Sequence, residues 1–325
     1  MSEVLLTTTV GSFPKPGYLA RARTQFAAGK LGEAELTELT KKATREIIAL
    51  QEELGLDILV HGEMERGDMV GYFGERLPGM RTGGLVRSYG NRYYHKPVVF
   101  EAVRWERPMT LDWWQFAQDL TDKPVKGMLT GPYTIVEWSF DEHYPSRRDA
   151  VLAMAEVIHK EAQVLEQAGA TYIQIDEPAA STRMEDLPIL LEAMAIVTDG
   201  LKAKTISHMC YGDFVSAYRE LLKLPVDQLD LEMANSDYDL LDKIREEGYD
   251  KEIGLGVFDV HSHRVPPVEE MKSGIRKGLD VLTPEQIFVT PDCGLKTRTT
   301  EEARAQLTNM VDAARQVRAE IGVAV

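Results

Sequence analysis

Short β-branched apolar runs alternate along this chain with longer stretches in which apolar residues recur every three or four positions. The runs Val4–Thr9, Asp57–His61, Val125–Thr130, Thr171–Asp176, Ala203–His208, Gln228–Glu232, Ile253–Phe258 and Gln286–Thr290 read as strands. Helical periodicity occupies 33–54, 147–168, 185–200, 213–224, 237–247, 267–280 and 300–321. Strands alternating with helices imply parallel pairing through crossovers. Eight such units predict an α/β fold of the (β/α)8 TIM-barrel type. An open doubly wound sheet is the alternative, because the count alone does not prove closure. A barrel needs about 250 residues, and the chain has 325. The excess lies mostly at 66–123, a stretch rich in Gly, Tyr and Arg with a further strand-like run, Pro97–Arg104. It reads as a long insertion after the second strand, a hairpin followed by a helix over 110–120. Residues 1–325 are expected to form a single catalytic barrel domain carrying that insertion.

Composition narrows the possible partners. A net charge of -15 argues against nucleic acid or an anionic membrane surface. No apolar run approaches the roughly 20 residues of a membrane helix. The first residues lack a basic segment followed by a small-residue cleavage site, so no signal peptide is expected. Two cysteines in so long a chain fit a reducing compartment. A cytoplasmic location is the expectation that follows.

The chemistry gathers at the strand ends. Gly11-Ser12 follow the first strand, Glu63 and Glu65 the second, and Asp176-Glu177 the fourth. His208 and Cys210 close the fifth, Glu232 the sixth, Asp259 and His261 follow the seventh, and Asp292-Cys293 the eighth. In a barrel these positions converge on one mouth, although polar residues after strands also serve as caps and turn formers. His208 and Cys210 are two apart, so an extended backbone points both to one face. With Glu232 from the neighbouring strand and Cys293 from the last, they make a candidate zinc shell. The alternative is a mouth of unrelated polar groups and buried packing cysteines. Two thiolates weaken zinc as an acid for water and suit it to an incoming thiol, which coordination deprotonates while leaving it nucleophilic. Alkylation of a thiol substrate is the reaction this donor set points to.

The same stretches carry a family resemblance. The segments are Thr7-Thr-Thr-Val-Gly-Ser-Phe-Pro14, His61-Gly-Glu-Met-Glu-Arg66, Met69-Val-Gly-Tyr-Phe-Gly-Glu75, Gly131-Pro-Tyr-Thr134 and Trp138-Ser-Phe140. They continue with Gln174-Ile-Asp-Glu-Pro178, His208-Met-Cys-Tyr211, Asp259-Val-His-Ser262 and Pro291-Asp-Cys-Gly-Leu-Lys-Thr-Arg298. Together they resemble the C-terminal catalytic domain of cobalamin-independent methionine synthase, almost end to end. The resemblance implies a (β/α)8 barrel that methylates the thiol of L-homocysteine, with zinc as cofactor on His208, Cys210, Glu232 and Cys293. It also implies that Val10, Gly11 and Ser12 meet the amino acid, that Glu63 and Asp176 hold its ammonium group, and that His261 donates a proton.

Departures from the family pattern bear on the methyl donor. This chain resembles only the catalytic barrel, in the short single-barrel form. Arg92 and Trp138 match donor-contacting positions, whereas Tyr93 stands where the family usually has cysteine. These departures predict a methylcorrinoid donor on a carrier protein, with methyltetrahydrofolate or its polyglutamate as the alternative. Two further classes are a zinc hydrolase, disfavoured by the thiolate-rich shell, and a non-catalytic corrinoid-docking module. The corrinoid-ligating pattern Asp-x-His-x-x-Gly is broken by Arg264, so any corrinoid would belong to a partner.

Overall fold

The computed structural model describes residues 4–87, 93–210 and 212–322. They pack as two compact units, one of Met1–Glu65, Gln115–Lys126 and Gln228–Val325, the other of Arg66–Trp114 and Gly127–Asp227.

In the first unit the strands Gln228–Leu231, Glu252–Gly256 and Ile287–Thr290 run parallel, with Ile253 opposite both Leu229 and Ile287. Thr7 bridges Val289, the Ile58 amide donates to the Thr7 carbonyl at 3.1 Å, and Leu59 bridges Val125, all in parallel sense. The first two expected strands are thus reduced to single bridges. A side-chain clasp holds the two together: the Thr7 amide and hydroxyl each donate to Asp57 Oδ2 at 2.8 Å. The second unit repeats the device, with Thr205 donating from its amide at 2.7 Å and its hydroxyl at 2.8 Å to Asp227 Oδ2. There the strands Gly127–Thr130, Tyr172–Asp176 and Lys204–Met209 run parallel, with Asp176 opposite His208.

The six longer strands form one sheet in the order 287–290, 252–256, 228–231, 204–209, 172–176, 127–130. The Thr7 and Leu59 bridges supply the remaining two positions, and the segment 124–126 continues directly into 127–130. Parallel strands alternating with helices along the chain are the α/β arrangement expected. Strand interiors are buried on both faces, as parallel strands under crossover helices must be.

The helices follow the periodicity closely: Glu33–Leu54, Arg147–Gln167, Leu187–Thr198, Phe214–Leu221, Leu240–Glu247, Val268–Leu279 and Thr300–Glu320. Thr300–Glu320 shows why. A capping box opens it, Thr299 Oγ1 accepting from the Glu302 amide at 3.1 Å and Glu302 Oε2 from the Thr299 amide at 3.0 Å. Its buried face is Ala303, Leu307, Met310, Ala314 and Val317, spaced by three or four. Glu33–Leu54 stops at Gly55, whose φ of 82° sits in the left-handed region. The helix Gly17–Ala27 was not expected; only Leu19 and Ala22 of its residues are buried, too few to print a period.

Arg66–Trp114 holds the antiparallel ribbon Leu85–Arg87 with Tyr93–His95 and the short pair Met80–Arg81 with Val98–Val99. Only two residues of the strand-like run Pro97–Arg104 pair. The helix Leu111–Gln118 lies where a helix was expected. Among the described residues no helix is long and apolar enough to cross a membrane.

Candidate active site

In the first unit three loops meet beside the Ile287–Thr290 strand. The Phe13 amide donates to the Gly62 carbonyl at 3.1 Å, and the Leu295 amide to the Ser12 carbonyl at 2.7 Å. A Cβ on Gly294 would stand 2.2 Å from Ser12 Oγ, so a residue without a side chain lets these loops touch. Val10, Gly11 and Ser12 are thereby held against the loop that carries Cys293. Glu63 is buried and adopts a φ of 56°, a left-handed conformation uncommon outside glycine. Two neighbours brace this turn: Lys15 Nζ donates to the Glu63 carbonyl at 3.1 Å, and Arg23 to the Glu65 carbonyl at 2.9 Å. His61 Nε2 and Glu65 Oε1 lie 3.0 Å apart, both buried.

Lys15 escaped sequence reasoning, because a lysine between two prolines reads as a solvated loop. Burial first, then the Arg23 guanidinium, push its pKa down to about 8, against the pull of Glu63 and Glu65. In the folded protein this amine therefore carries fewer protons than in the unfolded chain between about pH 8 and 10.5. Stability must accordingly rise with pH across that window and be lost as pH falls through 8. The expected result is that wild type gains on Lys15→Met in urea-unfolding free energy between pH 8 and pH 10. A constant difference would contradict it.

Glu232 ends its strand buried, and its Oε1 lies 3.7 Å from His261 Nε2. The interaction with Glu232 holds the His261 imidazolium above the ordinary histidine range, opposed by partial burial and helped by the charges of Cys293 and Asp259. The His261 amide donates to Asp259 Oδ1 at 2.7 Å, fixing the turn that presents the ring. His263 pairs instead with Glu302, at 2.8 Å.

In the second unit Asp176 is buried at its strand end and accepts from Gln174 Nε2 at 2.7 Å. The Glu177 amide donates to the His208 carbonyl at 2.9 Å. Glu177 itself is wholly buried and accepts from the amides of Tyr133 at 3.0 Å and Thr134 at 2.8 Å, and from Thr134 Oγ1 at 2.6 Å. Desolvation lifts its pKa to about 7 against those donors. Trp138 is half-buried at the end of the helix Pro132–Glu137, and its carbonyl accepts from Tyr94 Oη at 3.2 Å. Tyr93 is exposed on the ribbon. Arg92 lies outside the described residues.

His208 and Cys210 are buried at the end of the strand Lys204–Met209, Cys293 is partly exposed, and neither cysteine is in a disulfide. One ligand atom from each of His208, Cys210 and Cys293 lies within 4.8 Å of the other two. A tetrahedral ion with sulfur at about 2.3 Å and nitrogen at about 2.0–2.1 Å requires separations of this order. The donor set therefore fits zinc. Glu232, the fourth expected ligand, is not in this group; its Oε1 lies 3.7 Å from His261 Nε2.

The model of the family described as cobalamin-independent synthase, catalytic domain, matches residues 5–316. A Chelativorans sp. protein named 5-methyltetrahydropteroyltriglutamate–homocysteine methyltransferase is 44% identical over 96% of this chain and 42% of its own length. A Streptomyces avermitilis protein of the same name is 44% identical over 98% of this chain and 43% of its own. The chain thus spans about two-fifths of the curated relatives it matches. A solved structure from Shewanella sp. W3-18-1, described as a B12-independent methionine synthase in complex with selenomethionine, superposes with a TM-score of 0.87. It is 28% identical, over 98% of this chain and 99% of that one.

These findings correct the expectation of a methylcorrinoid donor and of a corrinoid carrier protein as partner. The relatives are named for a pteroyl donor and the family for independence from cobalamin. Tyr93, one of the departures behind that expectation, is exposed on the ribbon. By the match over nearly its whole length, the chain belongs to the cobalamin-independent synthase catalytic-domain family.

Proposed function

We propose that this chain transfers a methyl group from a 5-methyltetrahydropteroylglutamate to the thiol of L-homocysteine, giving methionine. The observation that carries the reading is the meeting of His208, Cys210 and Cys293 within 4.8 Å. Two thiolates and an imidazole suit a thiol substrate far better than water. The donor follows the names of the relatives.

His208, Cys210 and Cys293 would hold the zinc, and Glu232 would complete the shell. A bound zinc would acidify the substrate thiol so that it is a thiolate at neutral pH. The other roles belong to this chain's own residues. Val10, Gly11 and Ser12, pressed against the Cys293 loop, receive the amino acid. Glu63 and Asp176 anchor its ammonium group by charge-assisted bonds, which fixes the direction of the sulfur. Trp138, with Arg92 and Tyr93, receives the donor. The sulfur attacks the methyl carbon and the carbon–nitrogen bond breaks. The leaving nitrogen is a tertiary amine and departs only if it gains a proton, so it needs a general acid. His261 fills that role, its Nε2 3.7 Å from Glu232 Oε1.

The test is an assay of zinc-loaded protein with homocysteine and either methyltetrahydropteroyl monoglutamate or triglutamate. Methionine formation is expected, together with a 10²–10⁴-fold loss of turnover in His261→Ala. Absence of methionine with both donors would overturn the reading.

A further inference from the structure

Asp292 does something that neither its neighbour Cys293 nor the proposed reaction requires of it by itself. It is wholly buried. Its Oδ1 accepts from the amides of Met233 and Ala234, each at 3.0 Å, and its Oδ2 from the amide of Asn235 at 2.8 Å. Three successive backbone donors converge on one carboxylate, directly after Glu232. Its own amide donates to the Phe258 carbonyl at 3.1 Å, which ties the loop of Cys293 to the end of the intervening strand.

That intervening strand, Glu252–Gly256, lies between Gln228–Leu231 and Ile287–Thr290. The Asp292 side chain must therefore cross it to reach residues 233–235. It crosses at Gly256, where an added Cβ would stand 2.0 Å from Asp292 Oδ1 and 3.0 Å from Asp292 Cα. Any side chain at 256 would block the passage. The glycine and the aspartate make one device, spanning three adjacent strands.

We propose that Asp292, seated over Gly256, is a positioning residue that fixes the backbone of Glu232 relative to Cys293, and so sets the affinity of the metal shell. The proposal rests on the zinc reading above. Residues that orient ligands typically change metal affinity by about 10–100-fold when altered. Here one side chain acts on two ligands from different strands, through the residue after one and the residue before the other. Asparagine retains the shape but offers an NH2 group where an acceptor is needed, so at least one of the three amides loses its partner.

The experiment measures zinc dissociation constants by chelator competition for wild type, Asp292→Asn, Gly256→Ala and Asp57→Asn, with melting temperatures of the metal-free forms. Asp57 clasps Thr7 at the opposite end of the strands, so its variant reports general destabilisation alone. The expected result is a zinc constant 10–100-fold weaker in Asp292→Asn and Gly256→Ala, with a changed visible spectrum of the cobalt-substituted protein. Asp57→Asn should melt lower yet bind zinc as wild type does. Should Asp292→Asn and Gly256→Ala bind zinc within twofold of wild type, this proposal is overturned while the zinc reading stands. Should wild type bind no zinc, the reading fails and the proposal with it.

Discussion

Serine in place of Cys210 or Cys293 is expected to abolish stoichiometric zinc and to lower methionine formation by ~10³-fold or more. The exchange removes one oxygen-for-sulfur atom and little volume. What it removes chemically is a thiolate, which zinc binds at about 2.3 Å and which a neutral hydroxyl cannot replace. The two cysteines supply two of the three ligand atoms that lie within 4.8 Å of one another, so losing either leaves two. A metal that acidifies its substrate contributes several kcal/mol to the barrier, and each 1.36 kcal/mol is tenfold in rate. Metal content by mass spectrometry and turnover with homocysteine check the prediction together. A serine variant that retains both full zinc and wild-type turnover would remove the assignment of that cysteine. The metal-free fold should change by only about 1–2 kcal/mol, so a loss of activity through unfolding is separable by its melting curve.

The second large effect concerns stability. Glu177→Ala should lower the unfolding free energy by about 3–5 kcal/mol, read by urea denaturation. The carboxylate accepts three bonds in a fully buried site, from the Tyr133 amide, the Thr134 amide and the Thr134 hydroxyl. Alanine leaves these donors without that partner, at about 1–3 kcal/mol for each buried group so stranded. It also leaves a void against Gly131, whose missing side chain makes room for the carboxylate; a Cβ there would stand 2.1 Å from Glu177 Cδ. Glutamine should recover part of the loss, since one oxygen remains. A change below about 1 kcal/mol in the alanine variant would show that the turn Gly131–Thr134 is held by something else.

Much of this architecture is legible in the sequence, for physical reasons that differ between elements. The long helices print their period because one face is buried, as Ala303 to Val317 show in the last of them. The six longer strands are buried along their length, with polar residues such as Gln174, Ser207 and Asp230 among the apolar ones, and they stand out as short β-branched runs between the helices. The thiols and imidazole could be picked out because few residue types hold zinc, and their positions follow the ends of strands. What stayed hidden depends on contacts between distant residues. Nothing local says that Asp57 will clasp Thr7. The helix Gly17–Ala27 buries two residues and leaves no pattern. Glu232 is a plausible ligand by spacing, yet which neighbour it faces is decided by where His261 is delivered. The carboxylates Glu177 and Asp292 are legible only as polar residues after strands; their meaning lies in Gly131 and Gly256, each at the end of the neighbouring strand, which leave the space they occupy. The methylcorrinoid expectation rests on likeness to a single-barrel form and on departures such as Tyr93, and the names of the relatives and of the family overturn it.

The central claim is a zinc shell containing two sulfurs drawn from Cys210 and Cys293, and X-ray absorption at the zinc edge tests it most directly. In the zinc-loaded protein without homocysteine, the account predicts two sulfur scatterers at about 2.3 Å, with nitrogen or oxygen completing four-coordination at about 2.0–2.2 Å. A shell of nitrogen and oxygen alone would contradict it.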